Sequence, residues 1–134
     1  INLTIVGTGL GNHNHLKKEN NIKIIDFNNK DDSIIKVYDS HNIFILPSFT
    51  EGYSQVIDES LARCRPVIIF KEISHVMYSN RRGVFVCDRN PNSLSAMINH
   101  IMDNYESIEK KMLLNKYPTK DKFIDHLSHI IKDN

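Results

Sequence analysis

Two carboxylates, Glu51 and Glu59, stand eight positions apart in the stretch Pro47-Ser48-Phe49-Thr50-Glu51-Gly52-Tyr53-Ser54-Gln55, which continues as Val56-Ile57-Asp58-Glu59. The stretch reads as loop running into helix, with Ser54 as N-cap candidate for a helix over Gln55 to Cys64. Gly52 lets the backbone come close to a ligand. The amides of Tyr53, Ser54 and Gln55 then point out of the helix start, where orphan N–H groups and the helix dipole favour an anion such as a diphosphate. Two carboxylates beside an anion site make sense if the phosphates lie between two polyols. A carboxylate accepts from neighbouring hydroxyls, each charge-assisted bond contributing about 1.5–3 kcal/mol. Ribose on one side and a hexose on the other suit the pair. The plainer alternative is that Glu51 favours the helix dipole and Glu59 is solvated.

Other groups with chemical capacity carry weaker signals. Gly7-Thr8-Gly9-Leu10-Gly11 follows a strand, and Asp26 closes the next one, which invites an NAD-type dinucleotide reading. Against it, the third glycine of that fingerprint would be position 12, which is Asn12, and the intervening segment has room for only about ten helical residues, short for a crossover. His13 with His15 and His126 with His129 lack neighbouring ligands of metal-site spacing, so no metal is expected. His75, with Lys71 and Glu72 before it, either lines the same cleft as Glu51 or is solvated. Cys64 and Cys87 form no C-x-x-C pair and read as reduced, partly buried thiols of a cytoplasmic protein. A non-catalytic α/β interaction module is the remaining alternative.

The elements that must position these groups alternate regularly. Strands are expected at Leu3 to Val6, Ile22 to Phe27, Ile43 to Leu46, Val67 to Phe70 and Val84 to Cys87. Helices are expected after Ser33, from Gln55, over Ile73 to Asn80, and over Leu94 to Tyr105 capped by Asn92 or Ser93, with weaker helices near 106–115 and 121–132. The strands are short and apolar on both faces, as parallel strands covered on both sides must be. This is the α/β, Rossmann-like pattern of a parallel sheet with helices on both faces, forming one domain over residues 1–134. Ligands bind beyond the carboxyl ends of such strands, where Glu51 and its neighbours fall.

With 134 residues, 17 basic against 16 acidic side chains and a net charge of +1, the chain offers no electrostatic case for nucleic acid. No apolar run reaches the length of a membrane span.

The central segment resembles the signature of the family-4 retaining glycosyltransferases (glycosyl transferases group 1), in the C-terminal, donor-binding half of the GT-B fold. The matching pieces are Pro47-Ser48, Glu51-Gly52-Tyr53-Ser54, Glu59-Ser60-Leu61-Ala62 and Pro66-Val67-Ile68. Leu3 to Gly9, the run from Tyr38 to Pro47, and Gly83 to Val86 fall in step, so the likeness spans about residues 3 to 104. It implies that Glu51 hydrogen-bonds the transferred sugar and that the backbone of Gly52, Tyr53, Ser54 and Gln55 holds the diphosphate. It further implies Glu59 on the ribose, Phe27 and Asn28 against the nucleobase, and Gly7 and Gly9 in the cleft wall. The donor would be a UDP- or GDP-sugar, with no cofactor or metal, and the acceptor a glycan or lipid in polysaccharide biosynthesis. A lipid acceptor would leave room for a peripheral place at the inner face of the membrane. The chain opens in a strand without an initiator methionine, so an N-terminal acceptor domain and a first strand–helix unit, with its diphosphate-clamping Arg and Lys, are expected upstream. Two positions depart from the pattern, Cys64 and Asp26, where the family has glycine. The Cys64 side chain is expected to crowd the end of its helix, and Asp26 to alter the base pocket.

Overall fold

A computed structural model describes residues 1–7, 20–26, 33–76, 81–117 and positions 121, 124 and 128, the side chains of Asp26 and Ser33 excepted. The expectations for Gly9, Phe27, Asn28, His13, His15, His126 and His129 fall outside these residues. The chain divides into two compact units, 1–34 and 35–134.

The first unit holds two parallel strands, β1 (Leu3–Gly7) and β2 (Ile22–Asp26), paired in register from Leu3 with Ile22 to Gly7 with Asp26. Asp26 thus keeps its backbone in the ladder at the last pair, directly opposite Gly7.

The second unit is built on a three-stranded parallel sheet of β3 (Phe44–Leu46), β4 (Val67–Phe70) and β5 (Val84–Cys87), with β4 in the middle. All four β4 residues are buried, and Val67, Ile68 and Ile69 have no exposed surface. A strand buried on both faces needs apolar side chains at every position, and Val-Ile-Ile-Phe supplies them. Each fully buried Val, Ile or Phe contributes about 1.5–3 kcal/mol by leaving water. The core is completed by Ile57 and Leu61 of α2 (Gln55–Ala62), Ile101 of α3 (Pro91–Asp103), Ile108 and Met112 of α4 (Tyr105–Met112), and by Ile73 and Val76. The short helix α1 (Ser33–Asp39) crosses from one unit into the other.

Three local expectations are corrected. The segment after β4 is a 3-10 turn over Lys71–Val76, kinked at Ile73, rather than an α-helix from Ile73. The helix α3 begins at Pro91, and its cap is Asn90, whose side chain accepts from the Ser93 amide at 2.9 Å. Neither Asn92 nor Ser93 caps it, because proline at the first helical position fixes the start two to three residues earlier. Ser54 occupies the N-cap position of α2 with extended backbone, yet its side chain is buried and makes no capping bond.

Gly83 has φ +97°, and a Cβ there would lie 2.6 Å from the buried Met112 side chain. Only glycine fits at this entrance to β5. Among the described residues, no helix is long and apolar enough to cross a membrane.

Candidate functional site

Because β3, β4 and β5 run parallel with Leu46 opposite Ile69 and Phe70 opposite Cys87, the segments leaving their carboxyl ends share one edge of the sheet. Those segments are the loop 47–54, the turn Lys71–Val76 and residues 88–90. The first carries Glu51, Gly52, Tyr53 and Ser54, and leads directly into Gln55 and Glu59 on α2.

Contacts among these segments fix the loop. The His75 ring nitrogen Nε2 lies 2.8 Å from the carbonyl oxygen of Glu51, so His75 donates to the Glu51 backbone. That places the residue flagged in the sequence beside the Glu51 loop. Arg89, from the segment after β5, donates to the carbonyls of Pro47 at 2.9 Å and Ser48 at 2.6 Å. Its Nε reaches Glu72 at 3.2 Å. Its guanidinium carbon lies 3.9 Å from the Phe49 ring centroid and 4.2 Å from that of Phe70, within cation–π range. The Glu72 carboxyl is held below its usual range, first by its own backbone amide and then by Arg89. Lys71 pairs with Asp88 at 2.6 Å, and that hydrogen bond holds the ammonium proton more tightly than usual. Burial, and next the Asp88 carboxylate, push the Cys87 thiol up, which leaves little reactive thiolate there.

At the helix start, Gly52 is exposed, and a Cβ on it would meet nothing within 4 Å. Its φ is not positive, so neither space nor backbone strain within the described residues calls for glycine at this position. Tyr53 is half exposed and donates its hydroxyl to Asp58 at 2.7 Å. Asp58 also forms an ion pair with Arg81. With the Ser54 side chain withdrawn from capping, the first-turn amides of Gln55 and Val56 have no acceptor within the helix.

Glu59 is exposed, and its Oε2 accepts from the Tyr38 hydroxyl at 3.4 Å. Tyr38 is 6 % exposed, and its phenol is pushed up to about 12, by burial first and by the Glu59 charge second. Tyr38 is held there by the far end of α2. Arg63 pairs with Asp39 through two nitrogens and keeps that carboxyl below its usual range. Arg65 donates to the carbonyls of Tyr38 at 3.2 Å and Asp39 at 3.4 Å.

Cys64 follows this helix with φ +55°. The Cys64 amide bonds Leu61 O at 3.0 Å, and the Arg65 amide bonds Ser60 O at 2.9 Å. These two bonds are a complete Schellman end with cysteine in the left-handed place that glycine normally takes. The cysteine takes a left-handed φ here, and the terminal hydrogen bonds are kept. The Ser60 hydroxyl, fully buried, donates to Arg65 O at 3.1 Å and closes the same corner.

The structure thus gathers Glu51, Gly52, Tyr53, Ser54, Gln55 and Glu59 around one loop and helix start. Gly7 lies in the other unit, at the end of β1. The sequence places Arg89 at the carboxyl end of β5 without a role, and nothing in it points to the Tyr38–Glu59 pair. Arg89 lies more than 40 positions from the carbonyls it holds, and nothing local announces that contact. Among the described residues, no three His, Cys, Asp or Glu side chains cluster as a metal site would require.

No curated protein and no solved structure matches the chain. The family described as glycosyl transferases group 1 does match, over residues 1–104, which takes in both parallel sheets, the Glu51 loop and α2. The chain belongs to the group 1 glycosyl transferases.

Proposed function

We propose that this chain is the donor-binding domain of a retaining, metal-independent hexosyltransferase using a UDP- or GDP-sugar, with a glycan or lipid as acceptor. The observation that carries the reading is the pair of carboxylates on either side of one helix start. Glu51 stands in the loop before α2, and Glu59 stands on α2 against Tyr38. Between them lie Gly52, with open space around it, and the first turn of α2, whose amides have no acceptor within the helix.

In this reading the amides of Tyr53, Ser54 and Gln55 bind the diphosphate. As the bond from sugar to phosphate breaks, negative charge grows on the leaving oxygens, and fixed N–H dipoles stabilise it without reorganising. Glu59 accepts from the two ribose hydroxyls. The Tyr38 phenol, held protonated, donates to the same carboxylate and orients it. Glu51 bonds the hexose and is the catalytic residue of the site, while His75 holds its backbone carbonyl. The expected nucleobase contacts, Phe27 and Asn28, and the cleft-wall glycines Gly7 and Gly9, are assigned on the family resemblance. The acceptor is bound by a further domain of the same enzyme.

The test is a pair of substitutions in the complete enzyme. Glu59→Ala should raise KM for the donor, and Glu51→Ala should mainly lower kcat. No kinetic effect in either variant would sink the assignment.

A further inference from the structure

Three positively charged or proton-donating groups stand at the carboxyl edge of the second sheet: Lys71, His75 and Arg89. An arginine at such an edge invites the role of diphosphate clamp. The geometry of Arg89 argues otherwise. All three of its nitrogens are committed within the protein, to Pro47 O, Ser48 O and the Glu72 carboxylate. Its plane lies over the Phe49 and Phe70 rings, and its side chain is only 24 % exposed.

The two carbonyls it holds belong to the residues immediately before Phe49, and Glu51 follows two residues later. Phe70 closes β4, so the guanidinium that lies over the Phe49 ring also lies over the last residue of the most buried strand of the sheet. His75, from the same turn as Glu72, fixes the loop again at Glu51 O. The loop is therefore tied at both ends, by Arg89 at 47–49 and by His75 at 51, and Glu72 orients the arginine. A lysine could keep the charge but not donate to two carbonyls and a carboxylate in one plane.

We infer that Arg89 is a positioning residue for this transferase: it sets the loop Pro47–Glu51 and so decides where Glu51 meets the donor sugar and where the amides that follow it, Tyr53 to Gln55, meet the diphosphate. The inference rests on the donor-site reading above for its link to activity, and on the contacts alone for its link to the loop.

The test uses the whole chain with Arg89→Lys and, as a milder second variant, Glu72→Gln. Amide spectra are recorded with and without UDP and GDP, together with the ring nitrogen signals of His75 and the thermal midpoint. Arg89→Lys should leave the chain folded, move the Phe49, Thr50 and Glu51 amides and the His75 ring signal before any ligand is added, and weaken nucleoside diphosphate binding about tenfold. Glu72→Gln should shift the same amides in the same direction by less.

Wild-type loop signals and affinity in Arg89→Lys would overturn the inference. Lost affinity with unmoved loop amides would overturn it too, because Arg89 would then be touching the diphosphate itself. If the unaltered chain binds neither UDP nor GDP, the donor-site reading falls, and the ligand-free shifts of Phe49 to Glu51 alone decide the role of Arg89.

Discussion

Replacing Cys64 isolates one strained residue. Its φ of +55° lies in the left-handed region, which costs a side chain with a Cβ about 1–2 kcal/mol over the right-handed one. The position is nevertheless anchored by the Cys64 amide on Leu61 O and the Arg65 amide on Ser60 O. Cys64→Ala and Cys64→Gly both remove the half-buried thiol, so that loss cancels between them. What remains is the Cβ. Glycine relieves the left-handed strain but loses more backbone entropy on folding, about 0.5–1 kcal/mol. At mid-range, about 1.5 against about 0.75 kcal/mol, the balance favours Cys64→Gly over Cys64→Ala by about 0.75 kcal/mol. That order reverses the one within a helix, where alanine is better by about 1 kcal/mol. Urea unfolding of the two variants, followed by circular dichroism, reads the difference directly as a shift in midpoint at constant slope. An alanine variant as stable as the glycine variant, or more so, would refute the reasoning that strain is stored at this helix end.

Two further outcomes follow from the site itself. Gly52→Ala should change stability by less than about 0.5 kcal/mol, because the new Cβ meets nothing and the φ is ordinary, yet it should weaken UDP or GDP binding in a titration. Tyr38 gives a pH dependence. Its pKa is raised from 10.0 to about 12 on folding, so its contribution is whole below pH 10 and is lost as pH climbs toward 12. The loss is on the order of 2–3 kcal/mol. Urea midpoints measured from pH 9 to pH 11.5 should therefore fall more steeply for the native chain than for Tyr38→Phe, and parallel curves would remove Tyr38 as the cause.

The framework of strands was legible because each one is a short run of β-branched or aromatic residues bounded by a clear stop. Pro66 precedes β4, Pro47 follows β3, and Gly83 precedes β5. The helix that carries Glu59 was legible as well, since Ser54 stands at its N-cap position and the helix runs from Gln55 as expected. What escaped has both local and distant causes. Asn90 caps α3 through a side-chain bond that Asn92 could have imitated, and Pro91 was the overlooked clue. The turn after β4 stays a 3-10 turn because Ile73 departs from helical geometry, while its side chain is wholly buried in the core. Arg89 draws its partners from segments 17 to 42 positions away, a relation set by sheet order and not by any local pattern.

The central claim is that nucleoside diphosphate binds at the start of α2, between Glu51 and Glu59. A two-dimensional amide titration of the chain with UDP, GDP and NAD in parallel tests it most directly. UDP or GDP is expected to shift the amides of Gly52 to Gln55 and those around Glu59, and NAD to leave them in place. Shifts from NAD centred on the Gly7 to Gly11 segment, or no shift from UDP or GDP at millimolar ligand, would contradict it.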